Sequence, residues 1–85
     1  MANIPDSLTL DQLSIGQRAT VTGLTNRGAD RARLLDLGVL PGTNVEAELR
    51  SPLGDPTAYR VRGAVIALRR TQAQKIQIQL DPTKE

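Results

Sequence analysis

The chain has 85 residues, enough for one domain around a single small core. It carries eleven Lys and Arg against nine Asp and Glu, a formal charge of +2, with no Cys, His, Trp or Phe and a single Tyr. Disulfides, thiolate chemistry, imidazole base catalysis and Cys- or His-based metal sites are thereby excluded, and +2 is a weak electrostatic footprint for nucleic acid.

Residues 1–8 are expected to be loosely ordered, as termini often are. They lack the charged and apolar regions of a signal peptide, and no apolar run approaches the roughly 20 residues of a membrane helix. The Met1 start and the polar end DPTKE read as those of a complete small protein, with the cytoplasm as its default compartment. TLDQL can form one helical turn with Thr9 as N-cap. Gly16 then opens a strand, QRATVTGL, with Ala19 and Val21 on one face.

NRGADRARLLDLG predicts a short helix, with Asp30 as N-cap or first-turn acid. Leu34 and Leu37, three apart, share its core face, and Leu35 lies off that face. Gly38 sits just past the helix, where a left-handed conformation is needed, and Val39 can then touch Leu34. In LPGT, Pro41 and Gly42 fit the two central positions of a type II turn. The stretch lacks the phosphate-loop pattern, so backbone geometry accounts for it without a nucleotide.

In the strand TNVEAELR, Val45, Ala47 and Leu49 point inward, with Glu46, Glu48 and Arg50 outward. Ser51, Pro52 and Gly54 fit positions one, two and four of a type I turn. TAYRVR places Tyr59 and Val61 inward and Arg60 and Arg62 outward, and Gly63 allows a tight connection or a bulge. AVIALR turns Ile66 and Leu68 inward and leaves Val65 and Ala67 outward. RTQAQ makes one helical turn, and KIQIQL closes the chain with Ile76, Ile78 and Leu80 inward. About five strands with two or three short helices predict a mainly all-β domain, a small and strongly bent barrel that hides its sheet edges.

Three blocks occur in order: Leu37, Gly38, Pro41 and Gly42; then Ser51, Pro52, Gly54, Asp55 and Pro56; then Gly63, Leu68 and Arg69. Together they resemble the ferrous iron transport protein A (FeoA) family, over nearly the whole chain. The resemblance implies an SH3-like domain over 9–80, between a loosely ordered 1–8 and a tail at 81–85. It also implies a small, non-enzymatic, cytoplasmic accessory protein of bacterial ferrous iron uptake, acting with the membrane transporter FeoB. Similar domains end the iron-dependent repressors of the DtxR type, so a regulatory interaction domain is the competing function.

The residues qualify what such a domain can bind. Glu46 and Glu48 are spaced to share a hard cation, but ferrous iron favours sites that include imidazole, and a solvated strand face accounts for the pair better. No metal, cofactor or catalytic residue is expected. The one Tyr points inward, which leaves no aromatic groove for proline-rich peptides. Arg60, Arg62, Arg69 and Arg70 can form a basic stripe, but no surface aromatic is there to stack a base. Nucleic acid and membrane insertion are therefore not expected, and weak self-association is left open. The expected partner surface is Arg60 and Arg62 on the outer side of the barrel, Arg31 and Leu35 on the helix, and Leu53 at a loop tip.

Overall fold

A computed structural model describes residues 8–81. The loose order expected of 1–8 and the tail at 81–85 fall outside the described residues, apart from Leu8 and Asp81. Six strands form one antiparallel sheet: β1 (Leu8–Thr9), β2 (Arg18–Leu24), β3 (Asn44–Arg50), β4 (Thr57–Val61), β5 (Ala64–Leu68) and β6 (Ile76–Leu80). Two helices, α1 (Gly28–Asp36) and α2 (Arg70–Ala73), and a 3-10 turn at Leu10–Gln12 complete the architecture. The strand order is β1-β6-β2-β3-β4-β5, and among the described residues no pairing joins β5 to β1. The strand beyond the expected five is β1, where Leu8 lies opposite Ile78 and Thr9 opposite Gln77.

The core is aliphatic, as composition requires, with Tyr59 its one aromatic member. Leu10, Leu13, Val21, Leu34, Val39, Val45, Val61, Leu68, Ile76 and Ile78 are all buried around it. Burying each such side chain contributes about 1.5–3 kcal/mol. Burial holds the Tyr59 phenol above its ordinary pKa, and its hydroxyl donates a long hydrogen bond, 3.4 Å, to the Leu10 carbonyl.

Local geometry follows the sequence closely at the two turns after α1. Gly38 has φ +94°. Its N–H donates to the Leu35 carbonyl and that of Val39 to the Leu34 carbonyl, both at 3.0 Å, the pair of bonds that ends a helix on a left-handed residue. Gly42 has φ +93°, and Thr43 N–H donates to the Leu40 carbonyl at 2.9 Å, closing the Pro41–Gly42 turn. The Ser51–Gly54 turn closes in the same way at 2.8 Å.

Asp30 lies in the first turn of α1, one of the two places expected for it, and Arg27 is the N-cap. Four expectations need correction. Leu37 is 37% exposed, because α1 ends at Asp36 and Leu37 is its C-cap, where the direction of the helix face is lost. Leu49 is 67% exposed. The β3–β4 register shifts between Ala47, opposite Tyr59, and Leu49, opposite Ala58, so the extra residue reverses which side chain faces the core. Leu80 is 41% exposed at the end of β6, although its strand partner Ala19 is buried. Arg62 is not in a strand. It has φ +53° and Gly63 has φ +83°, so the two residues form a tight type I′-like hairpin turn between β4 and β5.

Candidate functional site

Sheet register builds a row of charges across three strands. Glu46 of β3 lies opposite Arg18 of β2 on one side and Arg60 of β4 on the other. The Arg18 Nε meets Glu46 at 3.5 Å, while the Arg60 Nε donates to Glu48 at 2.8 Å. The Arg60 hydrogen bond is the largest influence on Glu48 and holds its carboxyl below the ordinary range, while the same bond raises Arg60. Both carboxylates that could have shared a cation are thus engaged by arginines. Among the described residues, no group of three acidic, His or Cys side chains converges as a metal site.

This row borders an open groove of about 660 Å³, also lined by Asn44, Arg62 and Asp81. Asp81 accepts hydrogen bonds from the Thr20 hydroxyl at 2.8 Å and from Asn44 Nδ2 at 3.3 Å, which fixes the acidic end of the groove. Arg62 makes no ion pair with the described residues, and its stem lies over Gly38. The structure therefore brings Arg60 and Arg62 together and adds Arg18, which the sequence reading missed. Outward parity marks Arg18 on its own strand, but only the β2–β3 register shows that it joins the same row.

The remaining predicted contact residues are dispersed. Arg31 Nη1 donates to the Leu24 carbonyl at 3.2 Å, so this arginine also ties α1 to β2. Leu35 is half-buried, and Leu53 is 94% exposed at its loop tip. Neither lines the groove beside Arg60. In the second motif, Asp55 Oδ1 accepts the Arg70 N–H at 2.8 Å and caps the first turn of α2, while its own N–H donates to Ser51 Oγ at 3.1 Å. Ser51 to Pro56 thus joins the β3–β4 connection to α2. No described helix is long and apolar enough to cross a membrane.

The FeoA domain model matches residues 8–80. A fusion protein of Porphyromonas gingivalis, named for Fe(2+) transport protein A and the Fe(2+) transporter FeoB, is 33% identical over 73 residues. That match takes in 86% of this chain and 9% of the fusion protein. The FeoA-like protein of Clostridium acetobutylicum has TM-score 0.85 and 27% identity, with 96% of this chain and 95% of that one covered. FeoA of Stenotrophomonas maltophilia, described as a prokaryotic SH3 domain protein and solved with zinc, has TM-score 0.76 and 26% identity over 85% and 89% of the two chains. A manganese-dependent transcriptional repressor shares the fold alone, at 15% identity and TM-score 0.80, over 91% of this chain and 42% of the repressor. With its six-stranded SH3-like sheet and a family match that runs from β1 to the end of β6, the chain belongs to the FeoA family.

Proposed function

We propose that this protein is a non-enzymatic, cytoplasmic adaptor of ferrous iron uptake that binds a FeoB-type transporter. The observation that carries this reading is the P. gingivalis relative, in which a FeoA-like segment and a FeoB transporter belong to one polypeptide. Covalent fusion keeps two modules at high effective concentration, which suits modules that act on each other. The chemistry of the chain supports binding over catalysis. It has no His or Cys, its acidic strand residues are tied up by arginines, and its grooves are open and rimmed by cations. On this reading Arg60 and Arg62 form part of the contact surface, with Arg31, Leu35 and Leu53 as the helix and loop contributions.

The test is capture of solubilised FeoB from the same organism on the tagged protein, in GTP-bound, GDP-bound and nucleotide-free states. Binding in at least one state is expected, together with reduced ferrous iron uptake in a deletion strain. Absence of binding in every state, with normal uptake in the deletion strain, would overturn the adaptor role.

A further inference from the structure

The far edge of the sheet carries a second surface, unrelated to the arginine row. β5 pairs only with β4 among the described residues, in the register Val61 opposite Ala64, Tyr59 opposite Ile66 and Thr57 opposite Leu68. Because a two-residue turn joins the strands, Val61 and Ala64 are a hydrogen-bonded pair, and such pairs recur at every second position. Ala64, Ile66 and Leu68 therefore direct their N–H and C=O groups at β4. Val65 and Ala67 direct theirs away from it, to the open edge. An open edge with two unpaired donor–acceptor sets is a template for another strand.

The end of this edge, at Ala67 and Leu68, lines a groove of about 680 Å³ that α1 and α2 also line. Ala67 and the half-exposed Leu37 line it, which gives the groove an apolar part. Arg33, Arg69 and Lys75 surround it, against Asp30 as the one acid among its lining residues. None of these three cations forms an ion pair with the described residues. Asn26 also lines it, with an Oδ1 that is buried and has no hydrogen-bond partner among the described residues.

We propose that the groove between α1 and β5 takes an extended, acidic segment of a partner protein, added to β5 as a further antiparallel strand. Main-chain bonds to Val65 and Ala67 supply the docking, and Arg33, Arg69 and Lys75 select acidic side chains. A second copy of the chain is the poorer occupant. Antiparallel pairing of two β5 edges brings the end of one strand, flanked by Arg62, to the end of the other, flanked by Arg69 and Arg70, and gathering like charges is destabilising. The proposal rests on the adaptor reading only for there being a partner.

The probe is a blocked seven-residue peptide of alternating Glu and Val, with a Lys-for-Glu twin, added to the 15N-labelled protein. The acidic peptide is expected to shift the Val65 and Ala67 amide resonances saturably and to slow their exchange with solvent, and the Lys twin to do neither. Arg33→Glu with Arg69→Glu is expected to weaken binding roughly tenfold or more. Ala67→Pro removes an outward N–H without breaking the β4 ladder and is expected to abolish binding. If it unfolds the protein, the exchange measurement on the unaltered chain still decides. Unchanged exchange at Val65 and Ala67, or equal binding of the Lys twin, overturns the proposal. So does protection of these amides by dimerisation in the absence of peptide. FeoB capture that survives Arg33→Glu with Arg69→Glu would overturn this docking mode while leaving the adaptor reading intact.

Discussion

Gly38 lies directly beneath the side chain of Arg62: a Cβ placed on the glycine would come within 3.2 Å of Arg62 Cδ. The contact joins two left-handed residues, the end of α1 and the β4–β5 hairpin turn. Gly38→Ala meets both the crowding and the φ of +94°, and is expected to cost about 1–3 kcal/mol. Gly38→Val is expected to be severely destabilising, since β-branched residues are the least suited to positive φ. Urea unfolding of both variants checks this, and a wild-type midpoint for Gly38→Val would contradict the cap.

The two helix leucines should separate sharply. Leu34 is 1% exposed within the core, and Leu34→Ala is expected to cost about 2–5 kcal/mol. Leu37 is 37% exposed on the groove wall, and Leu37→Ala is expected to cost less than about 1 kcal/mol. Equal losses in thermal melts would place Leu37 in the core, as its spacing from Leu34 alone predicts.

That contrast shows where sequence suffices. The Gly38 cap and the Pro41–Gly42 turn were legible because single residues dictate the backbone there. Most of the buried set was legible from alternation, since one residue in two faces the core. Leu49 escapes strand alternation because a β-bulge is a property of two paired strands, and neither strand alone announces it. The turn at Arg62 is not legible because Arg rarely occupies a left-handed turn position, where Asn or Gly is the usual signal. For the candidate site, the outward parity of Arg60 could be read, but its neighbourhood with Arg18 depends on strand order. Strand β1 is two residues long, too short to carry any alternation.

The Glu48–Arg60 pair predicts a specific pH response. The hydrogen bond from Arg60 depresses the Glu48 pKa in the folded state. Its contribution to stability is therefore present above the ordinary carboxylate range and is lost as pH falls through the depressed folded value. Arg60 is exposed and Glu48 only half-buried, so the effect is small and weakens with salt. A side-chain carboxyl titration by NMR should show the Glu48 midpoint rising in Arg60→Gln. An unchanged midpoint would mean that the pair does not form in solution.

Ferrous iron should not rest on this protein. Glu46 is engaged by Arg18 and Glu48 by Arg60, so a cation would have to displace guanidinium groups from two half-buried carboxylates without help from imidazole or thiolate. Anaerobic equilibrium dialysis at micromolar ferrous iron is expected to show no stoichiometric uptake. One ion retained per chain, and lost on Glu46→Gln with Glu48→Gln, would overturn the ligand argument.

The partner surface should divide its energy unevenly among the named residues. Leu53 is 94% exposed, so Leu53→Ala should leave folding stability within about 0.5 kcal/mol of wild type. An apolar side chain displayed this openly loses water only when a partner covers it, which is how a contact becomes an anchor. Leu35 is half-buried, so Leu35→Ala must be compared at matched folded fraction. Arg60 is paired with Glu48, and Arg60→Ala leaves that carboxylate without its cation. Its main consequences should be slower association and altered salt dependence. The order of effects on FeoB affinity is thus Leu53→Ala or Leu35→Ala ahead of Arg60→Ala, by surface plasmon resonance on variants whose fold is verified by circular dichroism. Wild-type affinity in all three would remove this surface from the contact. A dominant Arg60→Ala effect that vanishes at high salt would instead assign the contact to the Arg18–Glu46–Arg60 row.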